Sequence, residues 1–307
     1  MYLKYDSIEE LVRAADEAGC RISGLVLREQ AAELEKTEEA LFSRMEQSFE
    51  VMMEACEKGR KQEFRSMSGL TGGEGRKMSL YAERTGGGIC GPFVTGAMAR
   101  ALAVSNTNAS MGRIVAAPTA GSCGILPGCL VSMVEDRGVS KRDAVMACFT
   151  AGAFGMVIAK KASISGAEGG CQAECGSAAG MAAAALTELM GGSPEQCGHA
   201  LAIALVSQMG LVCDPVAGLV EIPCIKRNAS GVVLAMSSAD LALAGVASYI
   251  PADECIAAMR EVGCALPAAL RETAAGGLAS TPTGKRLREQ VFGTNAEKAA
   301  SLCYNKI

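Results

Sequence analysis

Apolar positions recur with a helical period along most of this chain. Ser7 followed by Glu10 gives a capping-box pattern ahead of Leu11, Val12 and Ala15, which predicts a helix starting there. From about Leu25 to Lys58 an amphipathic pattern with mixed charges runs on without Gly or Pro between Val26 and Glu57. It predicts one long helix, or two in series, with a solvated face. Residues 69–91 change character: Gly69, Gly72, Gly73 and Gly75 lead to Gly86-Gly87-Gly88 and Gly91-Pro92, a pattern of turned loops. A helix is predicted over 93–104, a loop-rich stretch over 106–128, and further helices over 142–160, 176–190, 194–211, 228–247 and 252–263. Ser193-Pro194-Glu195 is a strong helix start, with Ser at the cap and Pro in the first helical position. No alternating strand series and no strand–helix–strand rhythm is present. The expected fold is therefore mostly α. One large helical domain over 1–307 carries Gly-rich loops between its helices, with N-terminal helices over 1–60 and a C-terminal extension over about 289–307.

Composition sharpens this picture. Half of the 307 residues are hydrophobic, yet aromatics make up 4% and there is no Trp, so the core must be built from Ala, Leu, Val, Ile and Met. Small side chains of this kind let helices approach closely. The net charge of −4 and the lack of a basic stripe argue against nucleic-acid binding. The first ten residues are polar and lack the apolar run of a signal peptide. The longest apolar stretch, Val232 to Ile250, is broken by Ser237, Ser238 and Asp240 and reads as a buried helix, not a membrane span. A cytoplasmic protein without membrane partners is expected.

Fourteen cysteines is a high count. In a chain of this length without a signal segment, thiols or metal ligands are expected in preference to disulfides. Most of them, such as Cys129 and Cys148, sit among apolar neighbours and read as small core residues. Three lie in other settings. Cys171 follows Gly169-Gly170, Cys213 precedes Asp214-Pro215, and Cys224 follows Pro223. Backbone that bends sharply beside a thiol suits a metal site. The spacings match neither a zinc ribbon nor a ferredoxin run, so spacing leaves metal ligation and structural thiols both open.

Longer motifs decide more. The segment from Asn108 to Gly128, containing Pro118-Thr119-Ala120-Gly121-Ser122-Cys123-Gly124, resembles the signature loop of bacterial iron–sulfur L-serine dehydratases. Ser163 to Gln172, Cys213 to Gly218 with Pro223-Cys224, and Thr281-Pro282-Thr283-Gly284 resemble the same family. The resemblance spans the chain from Ser7 to about Arg288 and fits the alpha chain of the two-chain members. It implies an L-serine ammonia-lyase that releases pyruvate and ammonia, with L-serine as substrate, a beta chain as partner and a hetero- or homo-oligomeric assembly. It also implies one [4Fe-4S] cluster on Cys171, Cys213 and Cys224, with the fourth iron left for substrate. Cys175 departs from the family pattern, which more often has an aliphatic residue there, and reads as structural. In some single-chain relatives a C-terminal cysteine caps the open iron at rest, a role for which Cys303 is the candidate here.

This chemistry has identifiable needs. Hydroxide is a poor leaving group, and a Lewis-acidic metal with an open position eases its departure. A cluster with four protein ligands would suit electron transfer instead. The loop from Thr119 to Gly124 is expected to hold the substrate carboxylate through Thr119, Gly121, Ser122 and Gly124, with Asn108 binding substrate or capping the loop. Lys161 is the candidate base, since a lysine at a desolvated site has a lowered pKa. Lys160, Glu168 and Glu174 are further candidates, and the only histidine, His199, reads as structural. Two rivals stand beside this reading: an L-cysteine desulfidase of similar architecture, and a non-enzymatic iron–sulfur sensor.

Overall fold

A computed structural model describes residues 3–293. The order of helices is α1 (Ile8–Glu17), α2 (Ile22–Glu33), α3 (Glu38–Lys61), α4 (Glu74–Thr85), α5 (Gly91–Ala109), α6 (Ile125–Arg137), α7 (Lys141–Lys161), the single turn α8 (Gly166–Gly169), α9 (Ser177–Leu189), α10 (Pro194–Gln208), α11 (Cys224–Leu243), α12 (Ala252–Ala265) and α13 (Pro282–Phe292). A π-helical turn, Gln172–Gly176, leads into α9. Among the described residues no β-strand forms. Two isolated bridges join Arg65 to Gly72 and Cys213 to Arg271. The mostly α reading of the sequence is correct.

The core is organised around α9. Its sequence, SAAGMAAAALTEL, is buried along Ser177 to Glu188, and a helix apolar all round belongs inside. It packs against α6, α7, α10 and α11. Alanine makes this possible, because it adds little width and is the best helix former. At the end of α9 the buried carboxylate of Glu188 accepts from Thr150 Oγ1 (2.8 Å) and from the backbone N–H of Ser23 (3.2 Å). It thereby caps the start of α2, which has no side-chain cap of its own. Helix α7 is long and apolar enough to cross a membrane by length and composition. However, 67% of its apolar window is buried within this protein, against α2, α3, α6, α9 and α12.

The N-terminal amphipathic stretch forms two helices in series. Glu35 takes a left-handed φ of 51°, and the Thr37 side chain then caps α3 by accepting from Ala40 N (3.2 Å). Three expectations fail: residues 69–91 contain α4, the stretch read as loop up to Gly128 contains the start of α6, and α13 forms over Pro282–Phe292, beyond the helices expected. For α4 the glycines flank the helix: Gly73 and Gly86 cap it with φ of 73° and 65°. Gly75 lies inside because α4 crosses α5 too closely for a side chain, a Cβ there falling 2.6 Å from Ala103 Cα. In α6, Pro127 sits in the first turn, where its missing N–H costs nothing. The helix predicted over 228–247 starts one turn earlier, at Cys224, and ends at Leu243. That shift matters for the site.

Candidate active site

Three separate segments deliver cysteines to one region. Cys171 ends the loop after α8 and opens the π turn, Cys213 follows α10, and Cys224 begins α11. All three are buried, at 2%, 3% and 7% exposure. Cys213 is fixed on both sides of its backbone: its N–H donates to Leu270 O (2.9 Å) and its carbonyl accepts from Glu272 N (2.8 Å). The segment from Leu266 to Ser280 thus lies as a strap along the Cys213 loop. Cys175 lies one π turn after Cys171, with the two sulfurs 3.4 Å apart. That is far longer than a disulfide, and the thirteen cysteines among the described residues are free. A π turn inside an α-helix marks functional sites often. Here it is what separates Cys171 from the regular register of α9.

Burial governs the thiols. It pushes Cys224 up to about 12 and Cys213 well above the usual thiol range, with Cys171 and Glu174 nearby acting in the same direction. Cys171 moves the other way: the hydrogen bond from Cys175 outweighs burial, and the Arg227 guanidinium adds to it. The three buried sulfurs therefore lie within electrostatic reach of one another. Among the described residues no three His, Cys, Asp or Glu side chains converge tightly enough for a single metal ion. A polynuclear cluster holds its thiolates around a body of several atoms, so convergence on one point is not its requirement.

Glu174 stands at the centre. Its carboxylate lies 4.0 Å from Cys213 Sγ, and the nearby Thr119 hydroxyl favours its charged form. A Cβ on Gly166 would fall 2.8 Å from Glu174 Oε2 and 2.9 Å from Cys213 Sγ, and one on Gly121 3.2 Å from Glu174 Oε1. The loops of residues 119–124, 163–170 and 213–218 thus meet at this one side chain. Burial raises Glu174 to about 7, and Glu272 on the strap pushes the same way.

The Thr119 and Ser122 hydroxyls lie 3.1 Å apart beside Glu174. The loop that carries them is held from two sides. Asn108, at the end of α5, donates to Ala120 O (3.2 Å). Asn228, buried on α11, donates to Gly121 O (2.8 Å) and accepts from Gly124 N (2.8 Å). The Gly124 N–H is thus engaged with Asn228, and a Cβ at Gly124 would strike the Ala101 carbonyl at 2.3 Å. Gly124 lets the loop seat against α5.

The lysines sit elsewhere. Lys160 Nζ donates to Leu3 O (2.6 Å), Tyr5 O (3.1 Å) and Asp6 Oδ1 (3.0 Å), fastening the N-terminal segment. Lys161 is exposed at the end of α7, where its charge acts on Asp6. Glu168 is exposed, and His199 lies within α10 with Nε2 3.9 Å from Glu195. Cys303 lies outside the described residues. Sequence reasoning missed Asn228 and Arg227. Both become legible once α11 is started at Cys224, since they then lie three and four residues on, on the same face.

Residues 17–279 match the family model described as serine dehydratase alpha chain. The chain belongs to this family. It is 48% identical over 289 residues to the "Probable L-serine dehydratase, alpha chain" of Bacillus subtilis (strain 168), covering 94% of this chain and 96% of that protein. It is 46% identical over 283 residues to the L-serine dehydratase alpha chain of Peptoniphilus asaccharolyticus, covering 92% and 97%. It also matches the L-serine dehydratase TdcG of Escherichia coli (strain K12), 39% identical over 282 residues, and there it covers 90% of this chain but 61% of the longer relative. As a serine dehydratase alpha chain it carries the family's loops in the positions where they meet around Glu174.

Proposed function

We propose that this chain is the catalytic alpha chain of an L-serine dehydratase. It would remove the α-proton and β-hydroxyl of L-serine to give an enamine, which tautomerises to an imine and hydrolyses to pyruvate and ammonia. The observation that carries the reading is the meeting of three family loops at Glu174, beside three buried cysteines from separate segments.

The donor set fits a [4Fe-4S] cluster on Cys171, Cys213 and Cys224. Burial makes lone thiolates costly there, and a polycationic iron centre removes that cost. When bound, such a cluster supplies a Lewis-acidic iron that eases departure of hydroxide. The rest falls to the protein. Thr119 and Ser122 hydroxyls, with backbone N–H groups of their loop, would take the substrate carboxylate. Glu174 Oε1 and Oε2 face this loop and the cysteines, so Glu174 is placed to receive the α-proton, a role assigned to it in place of the exposed Lys161. The relatives from Bacillus subtilis and Peptoniphilus asaccharolyticus are named as alpha chains, which supports a beta chain as partner.

The test is an anaerobic pyruvate assay on the full chain with its beta chain, comparing L-serine and L-cysteine, with iron and sulfide analysis alongside. Pyruvate from L-serine at a clearly higher kcat/KM than from L-cysteine, in a protein holding about four irons, is the expected result. Preference for L-cysteine would make the chain a desulfidase. A loaded cluster without turnover of either amino acid would leave only an iron–sulfur protein.

Asn228 offers a second check. Asn228→Ala removes both ties to the substrate loop and is expected to raise the KM for L-serine by about tenfold while iron content stays near wild type. Unchanged KM would mean that the loop is positioned without it.

A further inference from the structure

We infer that Arg227 is the positioning residue that sets the three cysteines in register and balances their charge. This rests on the cluster reading above and names a residue that the reading does not require. The guanidinium hydrogen-bonds two acceptors and acts on a third group through its charge. Nη1 donates to Val212 O (2.8 Å) and Nη2 to Asp214 Oδ1 (3.0 Å), so the two acceptors flank Cys213 in the chain. Its charge also lies near enough to Cys171 to favour that thiolate. Its own helix presents Cys224 three residues earlier, on the same face. One residue therefore bonds to, shares a helix with or acts by charge on the segments of all three sulfurs.

The bracket is itself braced. Asp214 is buried, and its second oxygen accepts from Leu278 N (2.8 Å) on the strap. Gly277 beside it leaves no room for a side chain, a Cβ there falling 2.5 Å from Asp214 Oδ2. Asp214 thus cannot turn away from Arg227 without moving the strap.

Arginine suits this place for two reasons. Its planar fork reaches several acceptors at fixed angles, which an ammonium on a flexible stem does not. Its charge is permanent, so it offsets thiolate charge in a buried site. Hydrogen bonds and positive charge near cluster sulfurs favour the reduced state and raise the reduction potential. A residue that only packed would leave the potential unmoved.

The experiment uses the full chain, reconstituted anaerobically with iron and sulfide, as wild type, Arg227→Lys and Arg227→Gln. Three properties are read: helical circular dichroism, the rate of iron loss to a chelator, and the reduction potential by titration followed by electron paramagnetic resonance. Arg227→Gln is expected to keep its helical signal, lose iron about tenfold faster and show a lower potential. Arg227→Lys keeps a charge without the fork, so it is expected to lose iron faster with a smaller shift in potential. Failure of both variants to load, with the helical signal native, supports the inference as well. Wild-type iron loss and potential in both variants overturn it. Should both arginine variants unfold, Asp214→Asn, which removes the charge from one arm of the bracket, decides in the same way: faster iron loss supports the inference and an unchanged rate overturns it. A wild-type chain that takes up no iron and sulfide sinks the cluster reading, and the inference with it. A loaded wild type beside unaffected variants sinks the inference alone.

Discussion

Cys213→Ala is expected to abolish cluster loading and pyruvate formation together, while Cys175→Ala leaves both within a few-fold of wild type. The two residues are equally buried and lie in the same pocket, so burial does not separate them. Geometry does. Cys213 is pinned by backbone bonds to Leu270 and Glu272 and points its sulfur toward Glu174, at the place where the three family loops meet. Cys175 instead lies behind Cys171, its sulfur 3.4 Å from the Cys171 sulfur. It is placed to donate to a ligand, which is a supporting role. Loss of a group that orients a ligand commonly costs ~10–100-fold in metal affinity, which a tightly held cluster absorbs with its loading near wild type, whereas loss of one of only three ligands removes the site. In Cys213→Ala the backbone pins remain and the cavity is one sulfur atom wide, so the apo protein is expected to melt near the wild-type temperature. The measurement is iron and sulfide content with anaerobic pyruvate formation in each variant. A loaded, active Cys213→Ala would remove Cys213 from the ligand set. An empty Cys175→Ala would put Cys175 into it and return the π turn to question.

Much of the fold was legible because its signals are local. Ser193 and Gln196 form the full reciprocal capping box that their spacing implies. Ser7 makes half of one: Glu10 N donates to Ser7 Oγ, but the Glu10 carboxylate accepts from Asp6 N. Among the helices that were missed, α4, the start of α6 and α13, the first two are ones in which glycine serves packing. At Gly75 and Gly124 the demand comes from α5, far along the chain, and no local pattern reveals it. The same limit explains the site. The cysteines and the substrate loop stood out as motifs. In the sequence Lys226-Arg227 is only a short basic pair, and the acceptors that give Arg227 its meaning, Val212 O and Asp214, lie 13 to 15 residues away. Lys161 was attractive because it precedes the Cys171 loop. In three dimensions the end of α7 turns toward the N-terminal segment, where Lys160 is used as a fastener.

Arg100→Met is expected to be among the most destabilising single changes outside the site. Arg100 lies on α5 with its side chain 2% exposed, and it holds α6 through two carboxylates. Nη1 and Nη2 pair with the two Asp136 oxygens at 2.7 and 2.8 Å, Nε and Nη2 share Glu135 Oε2 at 3.1 and 2.7 Å, and Nη1 also donates to Ser132 Oγ at 3.0 Å. Methionine is unbranched and fills much of the same channel, so the loss falls on the polar contacts more than on packing. Removing one partner of a buried ion pair costs about 3–5 kcal/mol. Here Glu135 and Asp136 are 29% and 34% exposed, and water relieves part of their stranded charge. About 3 kcal/mol is therefore expected, a fall in Tm of roughly 5–10 °C for a chain of this size. Arg60, which also bonds Glu135 (3.0 Å), limits the damage by keeping that carboxylate paired. Helices α5 and α6 frame the loop proposed to take the substrate carboxylate, with Asn108 at one end and Gly124 at the other. The loop's own anchors, Asn108 and Asn228, are untouched by the change, so turnover at 25 °C is expected to stay near wild type while the thermal melt shifts down. A melt within about 2 °C of wild type would show that the α5–α6 contact is held by its apolar packing and that the ion cluster adds nothing net.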